Sequence, residues 1–201
     1  MEKRYFELND NNFKTRSADD GKDIYLEGYF VRYDDVYEIA PGVTESIRKG
    51  ALTDAIKDND VKALINHDST LVLGRTGAGT FTLEDRSEGL WGSILINKED
   101  TDATNAYARC KRGDIPGCSF GFDIASEEIE ETETGKIHYT ITKINPLYEC
   151  SICTFPAYEG TSINARSKNA IDAQKRIALA WQERMKKRLR GENNGVEGID
   201  A

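Results

Sequence analysis

The sequence predicts an α+β fold, in which a mostly antiparallel, barrel-like β core carries a few surrounding helices and an amphipathic C-terminal helix. Short segments rich in aromatic and β-branched residues outnumber helical patterns in the first 165 residues. Their spacing is too short for repeated strand–helix–strand units. After about Ser167 the pattern becomes helical, since Ile177, Trp181 and Met185 recur every four residues and Leu189 extends the stripe to Arg190.

Alternating or apolar runs bounded by turn residues predict the strands of the core. They lie at residues 5–8, 24–31, 61–66, 71–76, 80–83, 89–96, 137–144 and 147–155, and one more passes through Phe120, Phe122 and Ile124. Residues 44–49 and 52–57 have helical spacing, with Leu52 and Ile56 on one face. Residues 127–133 are predicted to be an exposed acidic connection.

Residues 101–112 form the clearest helical segment before the tail. Asp100 or Thr101 can cap its N-terminus, and basic side chains near its C-terminal end suit the helix dipole. Gly113 follows directly and is predicted to end it.

Composition indicates a globular chain with polar extensions. Its 201 residues, 38% of them hydrophobic, are enough for one core and a tail. We expect a flexible segment at residues 1–20, a core domain at 21–165, and a basic helical tail with a disordered end at 166–201. No apolar run reaches the roughly 18–20 residues that span a bilayer, and the first residues lack the apolar core of a secretory signal. No membrane association is therefore expected.

The net charge of −8 is unevenly divided. Residues 166–201 carry nine basic and five acidic side chains, and the other 165 residues carry 18 basic and 30 acidic ones. Because phosphate contacts need a basic face, the acidic body argues against specific nucleic-acid binding. Four cysteines lie in apolar segments and are predicted to be reduced thiols of a cytoplasmic protein, namely Cys110, Cys118, Cys150 and Cys153.

One serine lies in a pattern known from hydrolases. Residues 117–121 read Gly-Cys-Ser-Phe-Gly, which matches the G-x-S-x-G pattern of a nucleophile elbow. An elbow connects a strand to a following helix, whereas Ser119 follows a predicted helix and precedes a strand. We therefore reject the α/β-hydrolase interpretation, and attribute the two glycines to a tight turn into the strand and to close approach of a substrate backbone.

A serine nucleophile needs a base, and the chain has only two histidines. His67 is predicted at a strand end among polar residues and is favoured over His138, which lies in an alternating strand; a structural role is the alternative for either. Glu149 lies inside an apolar strand, where an unpaired carboxylate would cost several kcal/mol, so we expect it to have a partner.

Three segments together resemble the prohead maturation proteases of tailed bacteriophages, a family related to the herpesvirus assemblin proteases. They are residues 65–68 (INHD) with 73–75 (LGR), residues 112–122 (RGDIPGCSFGF), and residues 149–157 (ECSICTFPA). Residues 28–30 and 47–52 also fit, so the resemblance covers roughly residues 24–165. It implies a herpesvirus-protease-like fold.

The resemblance also implies the roles of the site residues. Ser119 would be the nucleophile, His67 the general base and Glu149 the group that orients the imidazole. Herpesvirus relatives use a second histidine in the third role, so His138 stays an alternative to Glu149. Cys118 and Cys153 depart from the pattern, and neither is expected to touch a catalytic group.

Oxyanion stabilisation is assigned to backbone N–H groups near Phe120 and Gly121 and, as a further candidate, to Arg75. A surface ion pair is the alternative for Arg75. No cofactor and no metal is expected.

The biological role that the resemblance implies is a serine endopeptidase of phage assembly. Such an enzyme is packaged in the immature capsid, in the host cytoplasm. It cleaves scaffolding protein, or a scaffold-like segment of the major capsid protein, and itself. The basic tail would then dock to scaffold or be removed, and a packing helix is the alternative. Herpesvirus relatives act as dimers, so a homodimer is a further expectation by analogy.

A metal-binding module and a non-enzymatic capsid component are the two alternative classes of protein. Cys150 and Cys153 form a C-x-x-C pair, but structural zinc sites show two such pairs, and in a strand these side chains point to opposite faces. The other alternative is a non-enzymatic capsid or scaffold component of the same fold. Retention of serine, histidine and acid together argues against it.

Overall fold

The computed structural model describes residues 2–6, 14–17, 23–40, 42–131 and 136–154, with side chains omitted for residues 2–6 and 40. In chain order the elements are β1 (Glu2–Phe6), β2 (Lys14–Ser17), β3 (Ile24–Arg32), β4 (Tyr37–Ala40), β5 (Val43–Ile47), α1 (Ala55–Asp58), β6 (Lys62–Ile65), β7 (Asp68–Arg75), a 3₁₀ turn (Thr76–Ala78), β8 (Phe81–Arg86), β9 (Gly89–Leu95), α2 (Thr101–Arg112), β10 (Gly117–Glu131) and β11 (Ile137–Cys153).

The larger sheet is organised around the long antiparallel pair β10 and β11. Its order is β1-β10-β11-β5-β4, and β6 pairs with β11 and with β7. The strands β5 and β6 both run parallel to β11 and pair with different parts of it. At its C-terminal end, β11 therefore lies between β10 and the hairpin of β6 and β7.

The second sheet has the order β2-β3-β9-β8 and is antiparallel throughout. One continuous apolar core includes residues of both sheets, among them Phe30 and Ile94 of the second sheet and Phe120 and Ile144 of the first. Complete burial of each such side chain contributes about 1.5–3 kcal/mol, and Phe120 and Phe122 anchor the first part of β10 in this core.

The coarse class that the sequence predicted is confirmed, because the described residues are mostly strands with few helices and most strand pairs are antiparallel. The barrel-like closure is not found, since the described strands form two sheets and no closed barrel. The predicted C-terminal amphipathic helix lies outside the described residues. Among those residues no helix is long and apolar enough to cross a membrane.

The helix α2 has the predicted bounds, and both of its ends are capped. The Asp100 carboxylate accepts hydrogen bonds from the N–H groups of Asp102 and Ala103 at 2.9 and 3.2 Å. Gly113 has a φ of +90°, and its N–H bonds back to the last turn. Four residues thus separate the end of the helix from the start of β10.

Two segments that were expected to be a helix and a connection are strands. Residues 44–49 were expected to be helical, but Val43–Ile47 is the strand β5, between β4 and β11. Residues 127–133 were expected to be a connection, but β10 continues to Glu131, and its residues 127–131 pair with residues 137–141 of β11. In both cases backbone pairing with a neighbouring strand prevails over local composition. Strands β1 and β2 lie within the stretch that was expected to be flexible.

Candidate active site

His67 lies in the tight turn between β6 and β7. Asn66 and His67 both have positive φ angles, +50° and +61°, the combination found in two-residue type I′ hairpin turns. The turn is anchored to β11, since the Asn66 N–H donates to the Ile152 carbonyl at 2.9 Å and the His67 N–H donates to Ser151 Oγ at 3.2 Å. The conformation is uncommon for histidine, and these bonds hold the ring over β11.

Glu149 is the partner of the His67 ring. Its Oε1 lies 2.7 Å from His67 Nδ1, and both side chains are about nine-tenths buried. Since an ionised carboxylate can only accept hydrogen bonds, Nδ1 carries a proton and Nε2 of the neutral ring is left as the basic nitrogen. This is the tautomer that a general base needs.

Ser151 fixes the same carboxylate from the other side. Its hydroxyl donates to Glu149 Oε2 at 2.5 Å and accepts from the His67 backbone N–H, and the residue is fully buried. Sequence reasoning missed this residue. The available signal was its spacing, because Glu149, Ser151 and Cys153 alternate along one strand and so share one face.

Ser119 lies on β10 directly opposite Ser151 of β11. Paired residues of an antiparallel ladder point to the same face, with Cβ atoms about 4.5–5.5 Å apart. The Ser119 side chain is therefore on the sheet face that carries Glu149 and Ser151. Ser119 has no exposed surface.

Gly121 lies opposite Glu149 in the same ladder. A Cβ atom at this position would lie 2.6 Å from Glu149 Oε1 and 3.3 Å from Glu149 Cγ. The second glycine of the motif therefore leaves room for the carboxylate. This differs from the substrate approach that the sequence suggested for it.

Cys153 contacts His67, contrary to the expectation that neither Cys118 nor Cys153 would touch a proposed catalytic group. Its Sγ is 3.8 Å from His67 Nε2. Cys118 instead points to the other side of the sheet, where its thiol is 3.2 Å from the Tyr29 carbonyl. Burial raises the pKa of the Cys118 and Cys150 thiols, so both are poor nucleophiles.

His138 is in a different part of the sheet. It pairs with Glu130 of β10, eleven residues before Glu149 on β11. Its Nδ1 lies 2.8 Å from Thr44 Oγ1 and its Nε2 lies 2.9 Å from Ser46 Oγ. Both ring nitrogens are thus bound to hydroxyls of β5, while Glu149 occupies the place beside His67.

Arg75 is in an ion pair. Its guanidinium contacts the Asp60 carboxylate at 2.7 Å, with about half of the Arg75 side chain exposed. The same carboxylate accepts from the Gly77 N–H at 2.8 Å, which together with Lys62 and Arg75 lowers the pKa of Asp60 to about 2. This contact agrees with the alternative for Arg75, a surface ion pair.

An open cleft of about 480 Å³ lies beside His67. His67 and Glu149 form part of its wall, and Leu64, Val72 and Tyr148 supply apolar surface. The cleft is large enough for one or two side chains of a peptide, so a ligand bound there would lie against the His67 ring.

An imidazole oriented by a buried carboxylate, next to a strand that carries a serine, is an arrangement that can perform acyl transfer through a side-chain nucleophile. Comparison with known proteins identifies the family. The family model described as caudovirus prohead serine protease matches residues 11–176, and the chain belongs to that family. It is therefore a protease of prohead maturation, and the family predicted from the sequence is confirmed.

Two individual proteins are similar to the chain. The chain is 26% identical over 200 residues to the prohead protease of Enterobacteria phage HK97, and the alignment covers 90% of this chain and 84% of that protein. Among solved structures it is similar to the bacteriophage T4 capsid assembly protease, with a TM-score of 0.40 and 12% identity over 75% of this chain and 99% of that one.

Proposed function

We propose that the protein is a serine endopeptidase in which Ser119 is the nucleophile, His67 the general base and Glu149 the group that orients the imidazole. The observation that carries this assignment is the bond of 2.7 Å between His67 Nδ1 and Glu149 Oε1, on the sheet face to which Ser119 also belongs. It favours Glu149 over His138 as the third member of the site.

The proposed reaction begins when Ser119 Oγ attacks the peptide carbonyl and its proton passes to His67 Nε2. The imidazolium then protonates the leaving amine, and water releases the acyl group by the same steps in reverse order. Glu149 stabilises the imidazolium that forms in these steps. Because the pair is largely buried, the effective dielectric is low and this stabilisation is larger than it would be in water.

Backbone N–H groups of Phe120 and Gly121 are the proposed oxyanion donors. Consecutive residues of a strand direct their N–H groups to opposite neighbours, so one of the two faces away from β11. Arg75 is the less favoured donor, because its guanidinium is committed to Asp60.

The proposed substrates are the scaffolding protein or a scaffold-like segment of the major capsid protein, and the protease itself. The support is membership of the prohead protease family and the similarity to the HK97 prohead protease. The reaction would take place inside the prohead in the host cytoplasm. A homodimer and the absence of nucleic-acid binding remain part of this proposal.

A cysteine nucleophile is the second candidate, because Cys153 Sγ lies 3.8 Å from the basic nitrogen of His67. Cys153 is 2% exposed and lies opposite Gly117 at the start of β10. The family description favours serine. Separate Ser119→Ala and Cys153→Ala variants distinguish the two.

Co-expression with the phage's major capsid protein tests the assignment. We expect shortened capsid and protease bands with the wild type and with His138→Ala, and their loss with Ser119→Ala, His67→Ala and Glu149→Gln. His138→Ala is the matched control for the loss of an imidazole. Unchanged processing by Ser119→Ala would remove Ser119 as nucleophile, and loss of processing only with His138→Ala would reassign the third member.

A further inference from the structure

The cleft beside His67 continues the sheet face that carries the proposed nucleophile. Ser119 is paired with Ser151 of β11, and Ser151 is paired in turn with Leu64 of β6. Leu64 is paired with Val72 of β7. Paired residues of neighbouring strands lie on the same face of a sheet, and neighbouring strands are about 4.8 Å apart. Leu64 therefore lies two strands, or about 10 Å, from Ser119 on the same face.

Tyr148 lines this cleft because of a β-bulge in β11. Gly121 of β10 is paired with Glu149. The next residue of β10 is paired with Leu147, so Tyr148 is an extra residue on β11. In a regular strand Tyr148 and Glu149 would point to opposite faces. A bulge redirects a side chain, and here both residues line the cleft.

The cleft offers apolar surface that the described residues leave uncovered. Val72 and Tyr148 both line it, and 44% and 37% of their surface is exposed. The Tyr148 hydroxyl donates to Asp123 Oδ2 at 2.7 Å, so the ring is held in place as a wall of the cleft. Among the described residues Val36 and Ile129 are the other exposed large apolar side chains, and neither lines the cleft. Covering this surface favours an apolar ligand group.

The charged groups of the cleft have partners within the protein. Lys62 and Arg75 both contact the Asp60 carboxylate, at 3.2 and 2.7 Å. Glu149 is bonded to His67. A charged substrate side chain would compete with these contacts, whereas an apolar side chain covers apolar surface without such competition. The cleft therefore suits a large uncharged side chain.

The cleft lies on the side of the site where the leaving amine must be. In the proposed reaction His67 Nε2 gives its proton to that amine, so the amine lies against the imidazole. The proposed oxyanion donors are on β10 and hold the acyl half of the substrate. The described lining of the cleft belongs to β6, β7, the turn between them and β11. The peptide that follows the scissile bond therefore leads into the cleft.

We infer that this cleft is a specificity subsite for a large apolar side chain on the leaving-group side of the scissile bond, and that Val72 and Tyr148 determine the preference. The inference rests on the proposed roles of Ser119 and His67 and adds the class of substrate. An extended peptide advances about 3.3 Å per residue, so the side chain belongs to the first or second residue after the bond.

The test measures how amines compete with water for the acyl-enzyme of the full chain. An ester substrate first acylates Ser119. An added amine then attacks the ester carbonyl, so that a C–N bond forms and the C–O bond to Ser119 breaks. His67 takes a proton from the amine and returns one to Ser119 Oγ. Because this step is the reverse of acylation, the amine occupies the leaving-group side.

Four dipeptide amides serve as amines. Leucylglycinamide and glycylleucinamide place leucine at the first or the second position, and the corresponding asparagine dipeptides are polar controls of nearly the same shape. The readout is the ratio of peptide product to acid product at equal amine concentration. We expect at least one leucine dipeptide to trap the acyl-enzyme about tenfold more efficiently than its asparagine counterpart.

Variants assign the preference to the cleft. Val72→Thr keeps the shape of the side chain but introduces a hydroxyl, and it should reduce the preference for leucine by about threefold. Tyr148→Ala removes one wall and should also reduce it. Val36→Thr is the matched control, because it makes the same change at an exposed valine outside the cleft. It should retain the wild-type preference.

The outcomes separate the inference from the proposed function. Equal trapping of leucine and asparagine dipeptides at both positions, with Ser119 acylated, would overturn the inference and leave the proposed function intact. A preference for leucine that both Val72→Thr and Tyr148→Ala leave unchanged would also overturn the inference. If mass spectrometry finds no acyl group on Ser119 with any substrate, the proposed function fails and the inference fails with it.

Discussion

Gly121→Ala is expected to inactivate the site without unfolding the protein. The added Cβ would lie 2.6 Å from Glu149 Oε1, and an ordinary contact is at least 3.4 Å, so the carboxylate must retreat by about 0.8 Å. That oxygen is the one that lies 2.7 Å from His67 Nδ1. The His67–Glu149 hydrogen bond is therefore broken or misaligned.

The size of the effect follows from what the carboxylate does. Misplacement of a catalytic group by about 1 Å costs on the order of 10²-fold, and loss of the correct tautomer in a serine–histidine–acid site costs roughly 10⁴-fold. We expect kcat to fall by about 10²-fold, which corresponds to about 2.7 kcal/mol of transition-state stabilisation. The fold should tolerate the change better, because the obstructed atom is the end of a side chain.

The assay is cleavage of purified capsid protein or of a peptide from it, with the melting temperature measured on the same samples. The matched control is Glu149→Ala, compared with the double variant that combines Gly121→Ala and Glu149→Ala. If the added methyl group acts only through the carboxylate, introducing it into Glu149→Ala should change kcat by less than about threefold. An equal loss in both backgrounds, or full activity of Gly121→Ala, would refute the reasoning.

Three further predictions concern residues around the site and the scaffold. Ser151→Ala removes a donor to the buried Glu149 carboxylate, so kcat should fall at least about tenfold while KM stays within a factor of about two; a change in KM alone would mean that Ser151 contacts substrate instead. Asp60 has its pKa lowered to about 2, mainly by the Gly77 N–H, so its ionised form stabilises the fold above about pH 4 and this contribution is lost as pH falls through about 2. The difference in urea midpoint between wild type and Asp60→Asn should therefore shrink from pH 5 to pH 2. A constant difference would contradict stabilisation of the fold by the Asp60 carboxylate. Asp100→Ala removes the cap of α2 and should lower the unfolding free energy by about 1 kcal/mol with processing unchanged; a stability equal to wild type would show that the cap contributes nothing.

The sequence predicted those elements whose causes are local. The helix α2 was found with its bounds because Asp100 and Gly113 act within one turn of its ends. The strand β5 was mistaken for a helix because its pairing with β4 and β11 is not encoded in residues 44–49 alone. The acidic end of β10 was missed for the same reason, since only its ladder with β11 holds it extended.

In the candidate site too, the residue with a local sequence signal was predicted, and the residues whose role depends on strand pairing were not. Glu149 could be singled out because a carboxylate within an apolar strand needs a partner, and the structure places His67 Nδ1 beside it. Ser151 and Gly121 could not be assigned roles, because their positions opposite Ser119 and Glu149 depend on the register of β10 with β11. Cys153 was not expected to touch a catalytic group, because the sequence does not show the turn that brings His67 back over β11.

The most direct test of the central claim is to identify the residue that becomes acylated during turnover. The protease is mixed with a good ester or peptide substrate, quenched in acid within the first turnover and digested, and the acyl group is mapped by mass spectrometry. The proposed mechanism predicts an ester on Ser119 that is absent from the Ser119→Ala and His67→Ala variants. A thioester on Cys153 that persists in Ser119→Ala would contradict it.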